Sequence, residues 1–348
     1  MSNWVITQLP NYPIINIKMV WLQFLISAAI VVLAAHKLAE YGDIIAVRTR
    51  LGGLFVGTVF LAAATSLPEM LASLSAFRAG FPNLAAGNFL GSNMVNMLLL
   101  ALVDLLYVQV PLMRKIAISH SLTAGLTILL MLIAVFSMTA DIDVTIGWVG
   151  VDSLLIIGAY FVGLRVIQQG TRGAVTAVAP AVQPGPRFPS LRRGIAGFTV
   201  AAAVLVLMVP LLVAASAEIA TITRLGTGFI GVALLSVVTS LPELIAALSA
   251  MRMNAFDMAV GNLFGSSVFN MLALGAADFL YLDGRFLGAI DPNFVLVGLL
   301  GLILTAMALM GTLARVERRI FFIELDSAAI LITYFLGMYF LFVRGIGL

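Results

Sequence analysis

The chain has 348 residues, 62% of them hydrophobic and only 10% charged, with a mean hydropathy of +1.12. Such values exclude an ordinary water-soluble domain and place the chain in a membrane. Its net charge of +3 comes from Lys and Arg scattered between apolar runs, with no basic patch interleaved with aromatics to suggest nucleic acid, and the absence of cysteine removes disulfides and thiolate metal sites.

Apolar runs long enough to cross a bilayer of about 30 Å are read at 19–38, 51–77, 81–107, 116–139, 144–166, 194–217, 225–251, 255–281, 294–313 and 320–343. These Gly- and Leu-rich runs do not alternate as barrel strands do, so an all-α integral membrane protein of ten transmembrane helices is expected. The first run lacks the short apolar core and small-residue cleavage site of a signal peptide and reads as a retained span. His36 near its end, and His120 at the start of the fourth, read as interfacial residues, with pH sensing as the functional alternative.

The second span contains Thr65-Ser66-Leu67-Pro68-Glu69, and the third contains Gly87-Asn88-Phe89-Leu90-Gly91-Ser92 followed by Asn96. A carboxylate inside an apolar span is expensive and marks function. Pro68 removes a backbone donor and breaks or kinks the helix, freeing carbonyls near Thr65, and Glu69 returns to the face of Thr65 and Ser66. After the fifth span, residues 168–193 are rich in Gly, Pro and Arg and read as a cytoplasmic linker. Asp152 in the fifth span and Glu218 at the end of the sixth lack convincing repeat mates and read as helix-end or loop contacts.

The seventh and eighth spans repeat the second and third. Thr239-Ser240-Leu241-Pro242-Glu243 and Gly261-Asn262-Leu263-Phe264-Gly265-Ser266 lie 174 residues on, and Asn270 follows as Asn96 did. Without gaps, residues 65–108 match 239–282 at 22 of 44 positions, beyond chance. The offset of 174 is half the length, so the chain reads as a five-helix repeat at 1–167, the linker at 168–193, and a second repeat at 194–348. Five is odd, so the second copy is inverted, the usual construction of secondary transporters with substrate at the repeat interface. Asp104 and Asp278 also match and read as interfacial or helix-contact residues, while Asp141, Asp143, Asp257, Asp283 and Asp291 read as solvated loop positions.

In the ten-span arrangement fourteen Lys and Arg fall on one side and five on the side of the termini. The excess marks the cytoplasm, so both termini are expected on the extracytoplasmic side of a plasma or inner membrane. Two carboxylates, six hydroxyls (Thr65, Ser66, Ser92, Thr239, Ser240, Ser266), the amides of Asn96 and Asn270, and loosened carbonyls form a hard-oxygen set. That set suits Ca²⁺, Na⁺ or Mg²⁺ better than zinc or copper. One Ca²⁺ or several Na⁺ offset the −2 charge, which suggests exchange.

These motifs resemble the signatures of the sodium/calcium exchanger family of the calcium/cation antiporter superfamily, prokaryotic type, over the whole two-repeat plan. The resemblance implies that Glu69 and Glu243 ligate Ca²⁺ with carbonyls of Thr65 and Thr239. It implies Na⁺ sites from Ser66, Ser92, Ser240 and Ser266 with carbonyls of Ala62 and Ser236, and Asn96 and Asn270 lining the centre. It also implies that the first and sixth helices slide against the rest. Ala64 and Val238 stand where the family often has Gly, and Asn270 where some relatives carry Asp, which resembles the K⁺-independent members. The expected function is electrogenic Na⁺/Ca²⁺ antiport by alternating access, without cofactor, catalytic residues, nucleic acid or protein partner, in contact only with lipid and its two ions. The alternative is H⁺/Ca²⁺ exchange through the same glutamates; a channel places its filter between subunits, and an enzyme needs a paired nucleophile and base that is missing here.

Overall fold

A computed structural model gives the fold; the residues described are 14–49, 64–107, 117–172, 189–282, 284–313, 319–320 and 323–347. Helices stand at the ten expected places: α1 (Ile14–Arg48), α2 (Leu67–Arg78), α3 (Pro82–Leu106), α4 (Ala117–Ala140), α5 (Val151–Arg172), α6 (Leu191–Thr223), α7 (Thr227–Arg252), α8 (Phe256–Ala277), α9 (Phe294–Leu313) and α10 (Leu325–Arg344). Nine of them are long and apolar enough to span a membrane among the described residues. The exception, α2, is described only from Ala64 onward, so Ala62 and the start of the second span lie outside the described residues.

Several boundaries differ from the hydropathy reading. The fifth and tenth apolar runs do not open as helices but as two-stranded hairpins, β1 (Thr145–Ile146) with β2 (Val149–Gly150), and β3 (Arg319–Ile320) with β4 (Ile323–Glu324). In the first, β-branched residues and Gly147, at φ +70°, favour a tight turn over a helical start. Both ends of the expected linker are helical, since α5 runs to Arg172 and α6 starts at Leu191 with Ser190 accepting from the amide of Arg193 at 3.3 Å.

The repeat extends beyond the matched motifs. Both hairpins recur at the same offset of 174, as do the bounds of α2, Leu67–Arg78, and the last segment of α7, Leu241–Arg252. Asp152 does have a repeat mate, contrary to expectation: Asp152-Ser153 recurs as Asp326-Ser327. That match falls outside the 44-residue window and was hidden by divergent apolar neighbours.

Two hydrophobic clusters hold the helices. One joins α1 and α6, each the other's main partner, with parts of α2, the start of α3 and the first half of α7. The other joins α4, α5, α8, α9 and α10 to the rest of α3 and the second half of α7. At one end the carboxylate of Asp278 accepts the amides of Gly150 and Phe286, each at 2.6 Å. Beside it Arg285, 8% exposed, binds Asp141 at 2.7 Å, Asp152 at 3.4 Å and the carbonyl of Ile142. This knot fixes the β1–β2 hairpin to the segment after α8. Asp104, the mate of Asp278, accepts from Ser327 of α10 at 2.6 Å, a contact between helices, whereas Asp278 ties a hairpin to the segment after its own helix. Asp141 is no purely solvated residue, because its exposed carboxylate closes the Arg285 knot.

Candidate ion-binding site

Pro68 and Pro242 have no amide proton, so the carbonyls of Ala64 and Val238, four residues back, lose their helical donors. The chain turns at the residue between, and Ser66 and Ser240 share one backbone conformation, φ −86°, ψ 6° and φ −89°, ψ 1°. Past each turn a helix restarts with its glutamate in the first turn. In α7 a π-helical turn at Gly231–Leu235 precedes the break, a distortion often found at functional sites.

Opposite the breaks, α3 presses its backbone against α7. A Cβ on Gly87 would meet the carbonyl of Gly228 at 2.5 Å and Cα of Gly231 at 2.9 Å, and one on Gly91 would meet Cα of Val232 at 2.8 Å. Only glycine permits this approach, which brings Asn88 and Ser92 to the broken segment.

The side chains then meet across the repeats. Ser240 donates to Oε1 of Glu69 at 3.2 Å, and Ser66 donates to Oε1 of Glu243 at 3.3 Å, so each serine serves the other repeat's acid. Ser266 adds a second donor to Glu243 at 3.3 Å, and Thr65 lies 3.3 Å from Ser266. Thr239 donates to Oδ1 of Asn88 at 3.0 Å, and Thr65 to Oδ1 of Asn262 at 3.5 Å. Asn96 donates to Ser267 at 3.2 Å and Asn270 to Asn93 at 3.4 Å. Such exchanged pairs are the signature of two-fold related units.

Every predicted site residue among those described is buried: Glu69, Ser66, Asn96 and Asn270 are 1% exposed, and Glu243, Thr65, Thr239, Ser92, Ser236, Ser240 and Ser266 are 0%. Neither Glu69 nor Glu243 has a Lys, Arg or His partner among the described residues. Among the described residues their Oε2 atoms, the hydroxyl of Ser92 and the Oδ1 atoms of Asn96 and Asn270 have no hydrogen-bond partner. Two carboxylates in that setting, each costing a few kcal/mol or more when ionised and uncompensated, line a cage of oxygen acceptors suited to cations. Among the described residues no three His, Cys, Asp or Glu side chains converge, so the cage is one of hard, mostly neutral oxygens.

Ser236 fits its expected place less simply. Its carbonyl already accepts from the amide of Ser240 at 3.0 Å and the hydroxyl of Thr239 at 3.3 Å, while its own hydroxyl bonds Val232. Asn88 is the residue that sequence reasoning quoted in a motif and gave no role. Its amide nitrogen holds the carbonyl of Glu69 at 3.0 Å and Ser73 at 3.2 Å while its oxygen holds Thr239, so it clamps both breaks together. Its match with Asn262 across the repeat was the available signal.

A sequence model of the family described as sodium/calcium exchanger protein matches residues 19–167 and 193–343. The chain belongs to that family. As an exchanger-family membrane protein it is 26% identical over 330 residues to a putative antiporter, CaxA, of Alkalimonas amylolytica, covering 91% of this chain and 96% of that one. It is 36% identical to the sodium/calcium exchanger MaX1 of Methanosarcina acetivorans over 83 residues, 24% of each chain. Among solved structures it resembles an H⁺/Ca²⁺ exchanger, CAX, with a TM-score of 0.68 at 15% identity, covering 96% of this chain and 88% of that one. It also resembles the sodium-calcium exchanger NCX_Mj, with a TM-score of 0.57 at 20% identity, covering 93% and 99%. Membership makes this exchanger a multi-pass antiporter with no catalytic family behind it.

Proposed function

We propose that the chain is an electrogenic, K⁺-independent Na⁺/Ca²⁺ antiporter. The observation that carries this reading is the pair of buried, unpaired carboxylates, Glu69 and Glu243, ringed by hydroxyls and amides from both repeats. Ca²⁺ would sit between the carboxylates with the carbonyls of Thr65 and Thr239. Na⁺ would take sites using Ser66, Ser92, Ser240 and Ser266, with Asn96 and Asn270 lining the centre; carbonyls of Ala62 and Ser236 would complete them, Ser236 after releasing one donor. Asn270, neutral where an acid would add charge, leaves a formal −2 that one Ca²⁺ cancels and that three or more Na⁺ exceed, which makes exchange electrogenic.

An empty, ionised site resists moving through the apolar interior, whereas a loaded site is nearly neutral and moves freely. Exchange without leak follows from that difference. The α1–α6 pair, each helix the other's main partner, is the body that would slide past the site, exposing it in turn to each side. The halves 1–167 and 194–348 act as inverted units joined by the 168–193 linker, with both termini on the extracytoplasmic face of a cell membrane.

Proteoliposomes holding the purified protein and loaded with Na⁺, diluted into Na⁺-free buffer at constant pH, test this. Ca²⁺ uptake that requires internal Na⁺ and responds to membrane potential is expected. Uptake indifferent to Na⁺ but driven by a pH gradient would assign the same glutamates to H⁺/Ca²⁺ exchange instead.

A further inference from the structure

On the outer surface of the bundle, α1 and α6 enclose an open groove of about 600 Å³. Its walls are apolar, and Leu33 and Val200 on either side are 65% and 63% exposed. Polar groups lie at one end only, where Lys37 and Tyr41 of α1 meet Arg193 of α6. The ends coincide because Tyr41 lies on Gly197: a Cβ on that glycine would fall 2.4 Å from the tyrosine ring. From Arg193 to Val204, and from Tyr41 back to Ile30, the lining covers eleven helical steps, roughly 16 Å at 1.5 Å per residue. That is about half of a 30 Å hydrocarbon core, the depth of one leaflet.

The charges at the mouth are unequal. Lys37 is paired with Glu40 at 2.6 Å, but the guanidinium of Arg193 has no hydrogen-bond or ion-pair partner among the described residues. A planar cation at the headgroup end of a leaflet-deep apolar slot matches a phosphodiester whose acyl chain fills the slot. A second copy of this chain fits less well, because a two-fold contact through the groove would bring Arg193 against its own copy.

We infer that the α1–α6 groove is a binding site for an anionic phospholipid of the leaflet on the basic side, with its phosphate on Arg193 and one acyl chain between the helices. The lipid then rests on α1 and α6, each the other's main partner, and it would travel with that pair. The inference rests on the membrane fold and not on which ions are exchanged.

Native mass spectrometry of the full chain, stripped of lipid in detergent and titrated with phosphatidylglycerol or phosphatidylcholine of matched chains, tests it. One phosphatidylglycerol bound about fivefold more tightly than phosphatidylcholine is expected, the worth of one basic side chain at a lipid surface. Arg193→Gln should erase the preference, Arg193→Lys should keep it, and Ala196→Trp, at an exposed groove position, should weaken both lipids. Equal binding of the two lipids by the wild type, or a preference that survives Arg193→Gln, overturns the inference. A species of twice the mass, broken by Ala196→Trp, would give the groove to a second copy.

Discussion

At the scale of single residues, Asn88 and Asn262 occupy equivalent positions and carry unequal loads. Both amide hydrogens and the oxygen of Asn88 have partners, while the amide nitrogen of Asn262 has none. One of the two acceptors is lost by substitution, Ser73 in the first repeat being Ala247 in the second; the Glu243 carbonyl, mate of that of Glu69, is present but not engaged by Asn262. Leaving a buried partner stranded costs about 1–3 kcal/mol, so Asn88→Ala should lower the thermal midpoint clearly more than Asn262→Ala in the same detergent. Equal midpoints would count against the clamp. Glu69→Gln and Glu243→Gln remove the charge that demands a cation while keeping the shape, so each should abolish Ca²⁺ transport in proteoliposomes with the fold intact; near-normal exchange in either would remove the central claim. The glutamates were legible in the sequence because an acid inside an apolar run is costly enough to stand out alone. Asn88 was not, because an amide is tolerated in many places and only its three partners reveal its use.

Elements set the geometry of those residues. The α3–α7 crossing depends on backbone approach at Gly87, where an added side chain meets only main-chain atoms, and at Gly91, where it meets Cα of Val232 and the short side chain of Ser236. Gly91→Val should therefore separate the helices and cut exchange at least tenfold, about 1.4 kcal/mol or more of lost site geometry, whereas Gly125→Ala, at a glycine with open space around its Cβ position, should leave transport unchanged. Flux measured on both variants at equal expression decides this. The Asp278 contact predicts a second element effect. Its carboxylate serves the Gly150 and Phe286 amides at once, so Asp278→Ala strands both and should cost about 3 kcal/mol of stability. Hydropathy located the helices because spanning length is a strong signal, but it read the hairpins as helix. Ile146 and Val149 in the first hairpin, and Ile320 and Ile323 in the second, merge with the apolar runs they precede, and hydropathy measures burial, not backbone conformation.

For the whole molecule, the odd number of spans per repeat predicts that equivalent residues face opposite sides. Arg78 and Arg252 are repeat mates, both are exposed, and the chain has no cysteine to complicate labelling. Arg78→Cys should react with a membrane-impermeant maleimide from the extracytoplasmic side, and Arg252→Cys only from the cytoplasmic side. Labelling of both from one side would break the inverted plan.

The sequence by itself determined that the chain lives in a bilayer, that it repeats, and that each repeat brings one acid beside one proline, since each of these is written in composition or in spacing. Only the tertiary structure decided that Ser240 serves Glu69 and Ser66 serves Glu243, and that α1 and α6 are each other's main partner. Those facts depend on which helix faces which across 174 residues of chain. No local pattern encodes that: packing between distant helices is a property of two surfaces meeting, and neither surface names its partner.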